Sequence, residues 1–173
     1  MVDEPQDTVS ADAEATQLLR VTLAYSSEED RICMDGISAS GETKRLWLTA
    51  RLVNRLVPHL LRITGNASNE TRLSDVPITQ NAEAAKPVEF VEGSKESLIG
   101  SVDIRSRDSA TALIFKDSST TAQASLILCL GDMLQWANAL KQCHIRGGWS
   151  ASLWDEARNL MPDEMQHNSV TIH

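Results

Sequence analysis

The sequence predicts an α+β protein made of two tandem β-β-β-α units, and three observations carry that reading. Apolar and polar residues alternate in successive short runs, the period-two pattern of half-buried strands. In each half, the last such run passes almost directly into a stretch with helical apolar spacing. The two strand-to-helix joints also overlay, with Leu46, Leu48 and Leu52 falling on Leu128, Leu130 and Leu134. The expectation is an internal duplication: two antiparallel sheets, each packed by one helix, followed by a short C-terminal helix.

The elements follow in order. Leu19, Val21, Leu23 and Tyr25 alternate with Arg20, Thr22 and Ala24, giving a strand with those four residues inward. After the polar Ser26–Asp30 turn, Arg31–Ile37 returns with Ile32 and Met34 inward. The Ser40-Gly41-Glu42 turn leads to a third strand carrying Leu46 and Leu48. Thr49 stands where an N-cap belongs, and the helix uses Leu52, Val53, Leu56, Val57, Leu60, Leu61 and Ile63. Pro58 falls inside it and is expected to kink or break it.

In the second unit, Leu98, Val102 and Ile104 share one strand face, and Thr111–Lys116 returns. Ala124, Leu126, Leu128 and Leu130 then form the strongest strand. Gly131-Asp132 opens a helix using Met133, Leu134, Trp136, Ala137 and Leu140, which Gly147-Gly148 stops. A last helix over Leu153–Met161, capped by Ser152, ends before Pro162. Val88–Val91 and Val170 with Ile172 are short strand candidates.

The domain reading is an acidic, disordered tail at 1–17, a first unit at 18–63, a linker at 64–97, a second unit at 98–149, and a C-terminal helix and tail at 150–173. The tail has acids and no base, and the linker is rich in Asn, Ser, Thr, Glu and Pro.

A net charge of −8 opposes long-range attraction to nucleic acid or an anionic membrane, so neither is the expected partner. The chain contains no run of about 18 apolar residues and no secretory h-region near Met1. Its three cysteines, Cys33, Cys129 and Cys143, form no CxxC pair; Cys33 and Cys129 read as small buried hydrophobes on strands. A reducing cytoplasm fits.

No catalytic frame is visible. GxSxG, GxGxxG and GxxxxGK[ST] are missing, and Cys143 and His144, as helix neighbours, point about 100° apart. His59, His144, His167 and His173 do not pair at ligand spacing, and Asp103, Asp108 and Asp117 do not make a calcium loop. No catalytic residue, metal or cofactor is therefore expected. The distinctive feature is basic: Arg51, Arg55, His59 and Arg62 fall on one face of the first helix, with Lys44 and Arg45 just upstream. Trp47 lies opposite Leu46 and Leu48, beside Arg45, as an interface anchor would.

The resulting expectation is a non-catalytic cytoplasmic interaction protein, a subunit or adaptor. It would capture an acidic partner surface through Lys44, Arg45, Trp47, Arg51, Arg55 and Arg62. Exposed edge strands leave homo-oligomerisation open. The alternatives are a single-stranded nucleic-acid-binding module using the same patch, with Trp47 as a stacking platform, and an enzyme whose site is assembled from scattered residues.

Overall fold

Alternation of side chains produces strands over Thr16–Ser26 (β1), Arg31–Ser38 (β2), Thr43–Leu48 (β3), Lys95–Arg107 (β4), Ala110–Asp117 (β5), Ala122–Cys129 (β6) and Ser169–Ile172 (β7). Helical spacing produces Ala50–Ser68 (α1), Leu130–Arg146 (α2) and Ser152–Asn159 (α3). The computed structural model describes residues 15–68, 86–107, 109–150, 152–159 and 169–173. Most of the expected acidic tail, the middle of the expected linker and residues 160–168 lie outside that set.

The expected pair of separate antiparallel sheets does not occur. Within each half, neighbouring strands are antiparallel hairpins, but two parallel seams join the halves. Lys44–Trp47 of β3 pairs with Lys95–Leu98 of β4, and Thr16–Leu18 of β1 pairs with Ala124–Leu126 of β6. Strands β1 to β6 thus close into one mixed barrel, and β7 adds to β4 as a seventh strand. The α+β class and the internal repeat are accordingly replaced by a mostly-sheet barrel. Alternation reports which face of a strand is buried and is silent about its neighbour, so two sheets and one closed barrel share the same pattern.

The barrel interior and the helices share one core. Ile32 and Met34 (β2), Leu46 and Leu48 (β3), Val102 and Ile104 (β4), Leu113 and Phe115 (β5) and Ala124 and Leu126 (β6) are all buried in it. Helix α1 contributes Leu52, Val53, Leu56, Val57 and Leu60, and α2 contributes Met133, Trp136, Leu140 and Cys143. Thr49 caps α1: its Oγ1 accepts from the Leu52 N–H at 3.3 Å and its carbonyl from Val53 N–H at 3.0 Å. The helix continues through Pro58. Helix α2 ends at Gly147, and Gly148 takes the left-handed conformation at φ 66° that closes such a terminus.

The alternation misleads at four places. A register shift between Leu18 and Arg20 puts Leu18 in the core and leaves Leu19, expected inward, 62% exposed. Leu130 belongs to α2 and is exposed, whereas Leu128 is buried on β6. Cys129, expected to be buried, is exposed, and its Sγ–H lies 3.1 Å from an Asp132 carboxylate oxygen. Val88–Val91 is not a strand. It crosses the outside of the barrel, with Val88 buried and its N–H donating to Thr22 Oγ1 at 2.8 Å.

β7 is fastened by a buried acid on the outer face of β4. Asp103 accepts from Lys116 Nζ and from Thr171 Oγ1, both at 2.6 Å, with Arg105 at 3.8 Å. Burial would raise the Asp103 pKa, but the Lys116 and Thr171 hydrogen bonds and the Lys116 and Arg105 charges together hold it below its ordinary value. A depressed folded pKa stabilises the fold above the unfolded carboxyl value of about 3.9 and loses that contribution as pH falls through the folded value. Urea unfolding from neutral pH down to about pH 2 should therefore show wild type losing stability that Asp103→Asn does not lose over the acid range. Asp30 and Asp117, also depressed through their hydrogen bonds, contribute a slope common to both proteins. Parallel pH profiles for the two proteins would remove Asp103 from this role.

Candidate binding site at the start of α1

The six basic and aromatic residues that the sequence groups together separate into three places. Lys44 points to the core side of β3, in register with Gly36 and on the same face as Leu46 and Leu48. It is buried, and its Nζ donates to Thr16 Oγ1 at 2.6 Å and to the Gln123 carbonyl at 3.0 Å, bracing the β1–β6 seam. Burial, with Lys95 nearby, pushes its pKa below the ordinary lysine range, and Glu42 partly offsets this.

Arg45 and Trp47 occupy the outer face of β3. Arg45 forks onto Asp35, with Nε and one terminal nitrogen 2.6 and 2.7 Å from the two carboxylate oxygens. Its guanidinium also stacks 4.1 Å from the Phe90 ring centroid and 5.5 Å from that of Trp47. Trp47 is half-buried and donates its indole N–H to Glu96 at 2.9 Å. These groups hold the Val88–Val91 crossing against the barrel.

Arg51 and Arg55 remain exposed, one helical turn apart on α1. Arg55 donates to the His173 carbonyl at 2.6 Å, just beyond β7. Arg51 makes no hydrogen bond or ion pair among the described residues. Farther along the same face, His59 and Arg62 are half-buried; burial first, and then the Arg62 charge, pushes the His59 pKa down.

Beside Arg51 lies an open groove of about 410 Å³ with a mainly apolar wall, formed by Thr49, Leu52, Leu98, Ile99, Gly100, Ser118 and His173. A bulge in β4 between Ile99 and Ser101 creates it, turning Ile99 into the core and leaving Leu98 46% exposed. Gly100 belongs there because a Cβ would come within 3.1 Å of the Ser118 backbone. Ser118 belongs to the Asp117–Thr121 turn, held by Asp117 accepting from the Ser119 and Thr121 N–H groups at 2.9 and 3.0 Å.

Chemically the groove offers apolar surface beside the Arg51 guanidinium, which has no ion pair among the described residues. Reading the sequence located Arg51 and Arg55 but missed Leu98 as a surface residue, along with Ile99, Gly100 and Ser118. A glycine interrupting the Leu98–Ile104 alternation is the one available signal of the bulge. Among the described residues no helix is long and apolar enough to cross a membrane. Comparison with protein-family models, curated proteins and solved structures returns no match.

Proposed function

We propose that this chain is a non-catalytic cytoplasmic interaction protein, a subunit or adaptor, whose partner docks in the groove at the start of α1. The observation that carries this reading is an exposed Arg51, without hydrogen bond or ion pair among the described residues, beside the exposed Leu98 over an open apolar groove. A partner segment would set an apolar side chain against Leu98 and Leu52 and a carboxylate on Arg51, with Arg55 behind it. The free thiol of exposed Cys129 suits a reducing compartment. Lys44, Arg45 and Trp47 have no part in the docking, because each already serves the barrel.

The test is co-purification from the native host, followed by binding of the identified partner to variants. Arg51→Glu is expected to weaken that complex at least about tenfold, in line with the loss of a charge-assisted hydrogen bond. Leu98→Glu should do the same. A stoichiometric partner that binds both variants as tightly as wild type would sink this assignment. Steeply salt-dependent binding of single-stranded oligonucleotides, lost with Arg51→Glu, would shift the site to nucleic acid.

A further inference from the structure

A second feature, independent of the groove, lies where α1, α2 and α3 meet. His144, near the end of α2, has no exposed surface. Its Nε2 lies 2.8 Å from the Asn54 side-chain oxygen on α1, so the neutral ring donates there and carries a lone pair on Nδ1. Nδ1 is buried and has no hydrogen-bond partner among the described residues. Two indoles stand nearly perpendicular to the ring, with Trp149 at 5.4 Å and Trp154 at 6.1 Å between centroids. They are held unequally. Trp149 donates its N–H to Asp30 at 3.2 Å, and Asp30 also accepts from Tyr25 at 2.7 Å, which ties that side to the β1–β2 turn. Trp154 is 4% exposed, yet its N–H has no partner among the described residues. It stands on α3, a helix of eight residues lying against α1, where Trp154 joins the core and Leu153 packs beside it.

Nothing bonded to the ring would compensate a second proton on it. Asn54 is neutral, and Arg51 and Arg55, its neighbours on α1, are cations. On α2, the Cys143 thiol is buried with its pKa pushed up by that burial, and Arg146 adds another cation. On α3, Asp155 next to Trp154 is exposed, and Glu156 and Arg158 follow in the sequence. The Asp30 carboxylate is reached only through the Trp149 N–H. Burial accordingly pushes the His144 pKa below its ordinary value of about 6.5.

We infer that α3 is a latch released by acid, shut while His144 is neutral and open once its ring takes a second proton. That proton would sit on Nδ1, buried and without an acceptor, so the charged ring must reach water. The α3 side yields, because Trp149 is hydrogen-bonded to the β1–β2 turn and Trp154 to nothing among the described residues. With α3 open, His144 titrates near its ordinary value; with α3 shut, it titrates only at lower pH. The latch therefore has its full strength above about pH 6.5, and its shut-to-open ratio falls about tenfold for each pH unit below that, down to the shut-state value. Opening bares the apolar surface of the core beneath Trp154.

NMR on the full chain between about pH 7.5 and about pH 5 tests this, following the His144 ring and hydrogen exchange of the Trp154 indole N–H in the same samples. The expected result is Trp154 exchange that quickens, relative to free indole at each pH, about tenfold per unit below about pH 6.5, while the amides of β5 stay protected. His59, the other histidine whose pKa burial lowers, serves as the control: His59→Gln should keep this dependence and His144→Gln should lose it. In wild type alone, the loss of Trp154 protection must follow the titration of the His144 ring. Exchange that ignores pH, a β5 that loosens together with α3, a His59→Gln protein without the dependence, or Trp154 protection that departs from the His144 titration would each overturn the inference.

Discussion

Phe115→Ala is expected to lower the unfolding free energy by about 3–5 kcal/mol, the range for removing a fully buried aromatic ring. Phe115 has no exposed surface and sits on β5 between Val102 of β4 and Ala124 of β6. Its ring centroid lies 6.5 Å from that of Trp136, so it joins the barrel wall to α2. Ala124 is too small to fill the space left behind, and hydrogen-bonded strands on both sides restrain the wall from collapsing. Urea unfolding followed by tryptophan fluorescence measures the loss directly. A drop below about 1 kcal/mol would mean that Phe115 does not stand at the centre of the core.

Arg45→Ala is the second large effect, at about 3 kcal/mol, because it leaves the Asp35 carboxylate with no cation in a nearly water-free position. Asp35 is 9% exposed, and both of its oxygens are bonded to Arg45. The substitution also removes the stack between Phe90 and Trp47, which loosens the Val88–Val91 crossing. Replacing both partners, as Asp35→Leu with Arg45→Met, should recover most of the loss, since no charge then remains unpaired. In the folded fraction, Arg45→Ala should bind the docking partner as wild type does, whereas Arg51→Glu should not. The opposite pattern would return Arg45 to the interface and remove it from the scaffold.

These two positions illustrate what side-chain patterning conveys. Phe115 falls in the Thr111–Lys116 run that the sequence assigns to a strand, but with Ala112 and Ile114 also apolar the pattern leaves its inward face open. Arg45 was read as a partner-facing cation because its counter-ion lies ten residues away, across a hairpin whose register the pattern leaves open. Lys44 was grouped with the surface cations for a different reason. It sits on the inward face where an apolar residue is usual, and only the seam between β1 and β6 supplies the Thr16 hydroxyl and Gln123 carbonyl that make its burial tolerable. Of the proposed docking site, Arg51 and Arg55 were visible as helix-face neighbours. Leu98 was not, because a bulge turned its side chain away from the face its spacing implies.

Local structure therefore follows from the chain's own pattern. The places of the strands, the cap at Thr49, the stop at Gly147-Gly148 and the apolar stripe of α1 depend on near neighbours, whose spacing and conformational preferences are written in order. The barrel does not follow that way. Backbone hydrogen bonds between strands are chemically alike for nearly every residue, so the joining of β3 to β4 and β1 to β6 rests on how the whole set of apolar side chains packs around Phe115 and its neighbours. That packing also decides which edges end covered, as β4 is by β7.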